Sequence, residues 1–438
     1  MMAILAGIAA VLAGIGLAEA LVVSRLVASF ARKQAAPCFA RSAVPELRFG
    51  RPAMPEPPPP RPTITVLKPL HGDDPLLEAA LTTLCRQDYP DFQIVFGVQD
   101  AADPAVAVVR RLQARFPNLD TALVVDPRLH GRNPKVGNLI NMMAAARYDV
   151  LVVADADIHV RPDYLDRLIE ALEQPGVGLV TTLYAGLPYA VGGQIALPAR
   201  LGATQITHGF LPSALLARAL GRQDCLGATM CLRRHDLERI GGFAALVDHL
   251  ADDNVLGRRI AALGLNVALA GTLTLTTVPE TSFAALFKHE LRWARTVRAL
   301  EPAGFAASVL EYPLAPSLLT VLLTGGELWS VGCFFIAWLL RAVAALGVDS
   351  ALDSLWTGNP RTEEHGSNDV ASLAFSCPVW LLPLRDILSV VVMLASYGGR
   401  QVDWRGHGLH ADTPPPSTLR PVTHRLRHFG RLRGTNTR

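Results

Sequence analysis

Between residues 63 and 183 short apolar runs of strand length alternate with segments of helix length, and few architectures accept that alternation. Residues 63–70, 92–99, 121–125, 150–154 and 177–183 read as strands; 75–86, 104–116, 136–147 and 162–172 read as the helices between them. The pattern argues an α/β fold, a mostly parallel sheet covered by helices on both faces. Ligands of such sheets sit beyond the carboxyl ends of the strands. Asp100 ends the second strand and Asp155 ends the fourth, so both fall on that edge.

The fourth strand finishes as VLVVADADIHV, with Asp155 and Asp157 at i and i+2. Residues at that spacing point the same way if the strand persists, and in a turn both can reach one hard cation. A Mg²⁺ or Mn²⁺ held by Asp155 and Asp157 completes its shell with substrate phosphate oxygens. An isolated D-x-D more often breaks a strand and caps the next helix. The strand-end position and the matching Asp100 favour ligand binding here. His159 as a further ligand competes with the plainer reading of a strand-exit histidine.

No G-x-x-x-x-G-K-[ST] and no strand-linked G-x-G-x-x-G supplies a phosphate loop. GRNPKVGNLIN offers another site, because it sets Lys135 at a helix start, where a cation and free N–H groups meet phosphate. In HLADDNVLGRRIAALG, Asp252 and Asp253 open a helix. The helix dipole alone accounts for acidic residues there; one of the pair acting as a general base on an acceptor hydroxyl is the functional reading. FKHELRWARTVR places Lys288, Arg292 and Arg295 on one helix face. That face suits lipid headgroups, or Arg292 suits a diphosphate leaving group.

Apolar residues concentrate at the two ends of the 438-residue chain, whose mean hydropathy is +0.28. The run from Ala3 to Val23 has the length of a membrane span. Ala18-Glu19-Ala20 mimics a signal-peptide cleavage site, yet no basic residue precedes the run and the apolar pattern continues past it, which favours an anchor over residues 1–30. Arg25, Arg32, Lys33 and Arg41 follow, so the segment after them is expected in the cytoplasm. A Pro-rich linker, 31–62, leads to the domain at 63–303. A membrane region at 304–398 holds apolar zones near 312–348 and 371–397, the first divisible at Gly325-Gly326-Glu327 into a further span or an interfacial half. An external acidic loop is expected near 349–370 and a basic cytoplasmic tail at 399–438. The net charge of +3 is too small to argue for nucleic acid. Cys38, Cys85, Cys225, Cys231, Cys333 and Cys377 are scattered without a C-x-x-C, which excludes a zinc ribbon or a dense disulfide scaffold. The apolar stretch 194–220 reads either as a lining that faces the bilayer or as a core helix pair.

The phrases LKPLHGDDP, FGVQDAADPA, NPKVGNL, VADADI, GATMCLRR, ADDNVLGRRI and LRW, in that order, resemble the membrane-bound, inverting family-2-type glycosyltransferases of the ceramide glucosyltransferase branch, which includes bacterial hopanoid-associated enzymes. The resemblance covers about residues 63–300, with an echo in VDWRG. It implies a GT-A-like nucleotide-sugar domain, a UDP-sugar donor bound at Lys68, Asp100, Lys135 and Asp155, and metal on Asp155 and Asp157. It further implies Asp253 as catalytic base beside Asp252, and Arg292 and Trp293 as the end of the [Q/R]-x-x-R-W signature near the leaving diphosphate. His289 stands where that signature has Gln or Arg, and Asp157 is a carboxylate that the ceramide enzymes often lack. The wording HELRWARTVR is more similar to the hopanoid-associated enzymes. The expectation is transfer of glucose or N-acetylglucosamine to a lipid hydroxyl at the inner membrane, with bacteriohopanetetrol as acceptor and ceramide as the alternative. A polysaccharide synthase would want Gln at 289 and more spans; a nucleotidyltransferase would want a Gly- and Arg-rich loop after the first strand. An inactive scaffold would not keep Asp100, Asp155, Asp253 and Arg292–Trp293 together.

Overall fold

The computed structural model describes residues 1–34, 61–358, 372–399, 401–404 and 407–410. Most of the Pro-rich linker, Cys38, the acidic residues Glu363, Glu364 and Asp369, and almost all of the basic tail lie outside them.

The alternating segment folds as read. β1 (Ile64–Pro69), β2 (Phe92–Val98), β3 (Asp120–Val125) and β4 (Val150–Ala154) alternate with α2 (Leu77–Cys85), α3 (Pro104–Arg115) and α4 (Pro134–Met142) behind the long α1 (Met2–Gln34). Two helix starts are set by local chemistry. Asp103 caps α3 by accepting from Ala105 N–H at 2.9 Å, and Asn133 caps α4 by accepting from Val136 N–H at 3.1 Å, each followed by proline at the first helical position. Because Asn133 nucleates it, α4 begins two residues before the expected start and ends at Met142.

After β5 (Ile158–His159) and α5 (Tyr164–Leu172) comes β6 (Val177–Pro188), longer than expected because β10 (Asn266–Val278) pairs with it in parallel along its length. A small ribbon, β7 (Ala190–Val191) and β8 (Gln194–Ile195), leads to α6 (Leu197–Gln205), a π-helical turn (Ile206–Phe210) and α7 (Leu211–Ala219). β9 (Thr229–Arg233), α8 (Arg234–Arg239), α9 (Asp252–Ala262) and α10 (Phe283–Leu300) complete the domain. The sheet order is β3-β2-β1-β4-β9-β6-β10-β5. The pairs β1/β2, β2/β3, β1/β4 and β6/β10 are parallel, and β9 inserts antiparallel between β4 and β6. Strand order turns outward on either side of β1, so a crevice opens at the carboxyl ends of β1 and β4.

Beyond the domain lie α11 (Pro302–Ala307), α12 (Leu314–Leu323), α13 (Leu328–Thr357) and α14 (Leu382–Ser396). Three helical stretches, Met2–Gln34, Leu328–Thr357 and Ser372–Ser396, are long and apolar enough to cross a membrane, and Pro302–Glu311 with Leu314–Leu323 forms a pair bent by 67°. The break after α12 falls at Gly325 and Gly326, whose φ values of 68° and 81° only glycine adopts without strain. Residues 349–357 open the expected external loop, of which 359–370 lie outside the described residues. The former continue α13, and Val348, Leu352, Leu355 and Trp356 bury against Leu183, Ala185 and Leu187 of β6 and Leu273 and Leu275 of β10. Arg161, between β5 and α5, donates to the Leu355 carbonyl. The apolar face of the helix outweighs the isolated Asp349 and Asp353, so α13 ends on the side of the sheet.

Candidate functional site

The turn after β4 answers for the two aspartates. Lys68, at the end of β1 and 1% exposed, donates its ammonium to the Asp155 carbonyl. Asp155 N–H donates to Ala228 O at 3.2 Å, and Asp157 Oδ2 accepts from Thr276 Oγ1 of β10 at 2.6 Å. Strand geometry ends here, and contacts from β1, from the residue before β9 and from β10 fix the turn. Lys68, expected at the donor site, lies beneath this turn with its ammonium on the Asp155 carbonyl. Burial lowers its pKa to about 8, opposed by Asp157 and Asp155.

Lys135, in the first turn of α4 as expected, places Nζ 2.6 Å from Asp155 Oδ1 and 3.8 Å from Asp252 Oδ2. Burial disfavours its charge, but Asp155, Asp252 and Asp253 more than offset that and raise its pKa. Asn133 Nδ2 donates to His249 O at 2.8 Å and to Asp252 Oδ1 at 3.3 Å, tying the start of α4 to the start of α9. The helix starts of α4 and α9 therefore meet the end of β4 around one ammonium group. Asp253 Oδ1 accepts from Asn254 N–H at 2.8 Å. Burial, and next the charge of Asp252, raise Asp253 to about 7.

Four carboxylates (Asp155, Asp157, Asp252 and Asp253) thus crowd against Lys68 and Lys135. Burial and the Asp155 charge raise Asp157; burial also raises Asp252, against the pull of Lys135. This surplus of negative charge, with the Asp155 side chain 35% exposed at the edge, fits a divalent cation on the oxygen donors Asp155 and Asp157. His159 is not part of that set. It is buried in β5 with Nε2 3.1 Å from Thr277 Oγ1, and burial with the nearby Lys68 lowers its pKa to about 4, so it is a neutral core imidazole. Asp100 sits exposed at the same sheet edge, where Oδ1 accepts from Ala102 N–H at 2.9 Å.

On α10, Trp293 packs against Ala203, Ile206 and Val278, the cluster that Tyr184 and Phe210 also join. His289 hydrogen-bonds Glu280 through Nδ1 and meets Trp293 edge-on at 4.9 Å, so it braces the tryptophan. The Arg292 charge acts on Glu280 as well. The sequence did not single out Tyr184. Its ring stacks on Phe210 at 4.7 Å, and burial and then the charges of Asp253, Asp155 and Asp157 raise its phenol pKa. It is the wall between the aspartates and α10. Gly227, within the quoted GATMCLRR, is a second such residue: a Cβ there would stand 2.9 Å from Asp253 Oδ2. Gly227→Ala is therefore expected to displace that carboxylate and lower kcat by about 10²-fold with thermal unfolding little changed. A kcat within threefold of wild type would show that Asp253 tolerates the shift.

Among relatives, ceramide glucosyltransferase 1 of Caenorhabditis elegans is 26% identical over 250 residues, 56% of this chain and 52% of its own length. Ceramide glucosyltransferase 3 of the same organism is 23% identical over 353 residues, 80% and 72%. That of Komagataella phaffii is 33% identical over 115 residues, 25% and 23%. The chain spans about half the length of the first of these relatives. Among solved structures, mannosyltransferase PcManGT from Pyrobaculum calidifontis, in complex with GDP-Man and Mn²⁺, superposes with a TM-score of 0.41 at 19% identity, covering 88% of this chain and 99% of that one. The sequence profile of glycosyl transferase family 21 matches residues 21–415, and the chain belongs to that family.

Proposed function

We propose that this chain transfers glucose from a UDP-sugar to the hydroxyl of ceramide or a similar sphingoid lipid, with inversion. The observation that carries the reading is the buried Asp253 carboxylate, raised to about 7, across Lys135 from Asp155 at the sheet edge. The relatives' names favour ceramide over the hopanoid acceptor suggested by HELRWARTVR.

In this mechanism Asp253 takes the proton from the acceptor hydroxyl as its oxygen attacks the anomeric carbon from the face opposite the departing diphosphate. Lys135 holds the diphosphate by giving up part of its pairing with Asp155. Asp100 positions the uridine, and Arg292 neutralises charge developing on UDP. Asp155 and Asp157 would hold Mg²⁺ or Mn²⁺, which when bound neutralises the diphosphate. Tyr184, Phe210 and Trp293 supply an apolar wall for the acceptor. The apolar helices keep the domain on the cytoplasmic face of the inner membrane, where a soluble donor and a lipid acceptor meet.

A host supplied with ceramide and with bacteriohopanetetrol tests the reading by lipid mass spectrometry. Hexosylceramide, absent with Asp253→Asn, supports it. A glycosylated hopanoid keeps the mechanism and changes the acceptor. No new glycolipid, with protein in the membrane, overturns the enzyme.

The base also sets a pH dependence. Only ionised Asp253 accepts a proton, so kcat/KM rises with pH while it titrates and levels off above. Its value of about 7 is lowered further by bound cation. The inflection is expected at or below about 7, and an inflection far above this would assign the base elsewhere.

A further inference from the structure

Outside the aspartate cluster, one group of side chains has the makings of a site. His208 lies in the π-helical turn between α6 and α7, an interruption of a kind that recurs at functional positions. Its Nε2 stands 3.1 Å from Oδ1 of Asp349 on α13, and the Cys377 backbone N–H donates to the other Asp349 oxygen at 2.7 Å. Ligand atoms of His208, Asp349 and Cys377 all lie within 4.8 Å of one another. The side chains of His208 and Asp349 are 2% and 8% exposed. Nδ1 of His208 is buried without a hydrogen-bond partner among the described residues. Beside the cluster is a small recess whose lining includes His208, Cys377, Thr204, Thr207, Arg200 and Ser376.

We propose that His208, Asp349 and Cys377 bind a Zn²⁺ ion, with the fourth position open to the recess. A nitrogen, a carboxylate and a thiol are the donors zinc accepts, and three protein ligands with one open position is a recurring zinc arrangement. The Nε2–Asp349 approach leaves Nδ1 of His208 and Oδ1 of Asp349 both buried without a hydrogen-bond partner among the described residues, and the Cys377 thiol stands against the same imidazole. On binding, the Cys377 thiol loses its proton to solvent; thiolate and carboxylate together balance the ion's charge, with the imidazole neutral. The Arg341 guanidinium, donating to the His208 carbonyl at 3.1 Å, already holds this turn against α13.

The ion joins three distant parts of the chain: the π turn, α13 and the segment before α14. The same turn carries Phe210, stacked on Tyr184, and Ile206, packed with Trp293. Zinc would thus clamp the apolar wall of the catalytic site to the membrane helices.

The test uses the full chain in detergent, freed of metal by a chelator, then given Zn²⁺ or Co²⁺ and dialysed. One zinc per chain is expected by elemental analysis, and cobalt is expected to give a thiolate-to-metal charge-transfer band. Both should be lost with His208→Gln, and the band with Cys377→Ser, a single-atom change that spares the fold if the histidine variant does not. Asp155→Asn should change neither. Absence of zinc from the wild type, a cobalt band that survives Cys377→Ser, or metal lost with Asp155→Asn would each overturn the site. None of these readouts depends on glycosyl transfer.

Discussion

Asp253→Asn is expected to lower kcat by about 10²- to 10⁴-fold, the range for loss of a general base, while leaving the protein as stable as before. The two halves of that expectation come from the same geometry. Asp253 is buried beside Asp252, and its ionisation is opposed by burial and by that neighbour. An amide of the same shape removes one negative charge from four crowded carboxylates, so folding loses nothing that Lys135 does not still supply through Asp155 and Asp252. Chemistry loses its proton acceptor. The Asn254 N–H contact at 2.8 Å survives through the amide oxygen, which keeps the first turn of α9 in place. Single-turnover rates with saturating donor, alongside thermal unfolding in detergent, separate the two effects. A rate within tenfold of wild type would move the base to Asp252, whose Asp252→Asn variant then becomes the decisive one.

The sheet edge was legible in the sequence because strand ends and helix starts are local. Asp155, Lys135 and Asp253 each sit at a boundary that apolar runs, proline or a capping residue announces, and the alternating order of elements brings such boundaries together. What lay beyond reach depended on contacts between segments far apart. β9 breaks the parallel order between β4 and β6, and nothing in TMCLR reports its direction. The ammonium of Lys68 goes to the Asp155 backbone, 87 residues away, a contact that no spacing announces. Tyr184 belongs to a strand whose full length only pairing with β10 reveals. Charge counts misplaced the end of α13 for a related reason: Asp349 and Asp353 suggested an aqueous loop, while the neighbouring Leu352, Leu355 and Trp356 supply the burial that decides. His208 and Asp349, 141 residues apart by their numbers (349 less 208), could not have been paired from spacing alone.

Arg385→Met should be the most destabilising substitution between the domain and the apolar helices, costing about 3–5 kcal/mol because a buried carboxylate loses its partner. Arg385 of α14 pairs with Glu290 of α10 in two parallel bonds of 2.6 and 2.7 Å, with side chains 3% and 11% exposed. The same guanidinium donates to the Leu201 carbonyl of α6 at 3.2 Å and to Ser389 Oγ at 3.0 Å, and Ser389 in turn donates to Gln205 at 2.9 Å. Removing the arginine strands Glu290 in an apolar contact formed by Leu201, Leu286 and Leu381. A double variant, Glu290→Leu with Arg385→Met, restores packing without charge and should recover most of the loss. Thermal unfolding of the three proteins in detergent measures this. If the double variant is as unstable as the single one, the surrounding hydrogen bonds to α6, not the stranded carboxylate, hold the helices together. Recovery of stability without recovery of transfer would say something further. The ion pair would then be setting the pose of α10, because Trp293 follows Glu290 on the same helix and packs with Ile206, Val278 and Tyr184 only while α10 lies in register against α14.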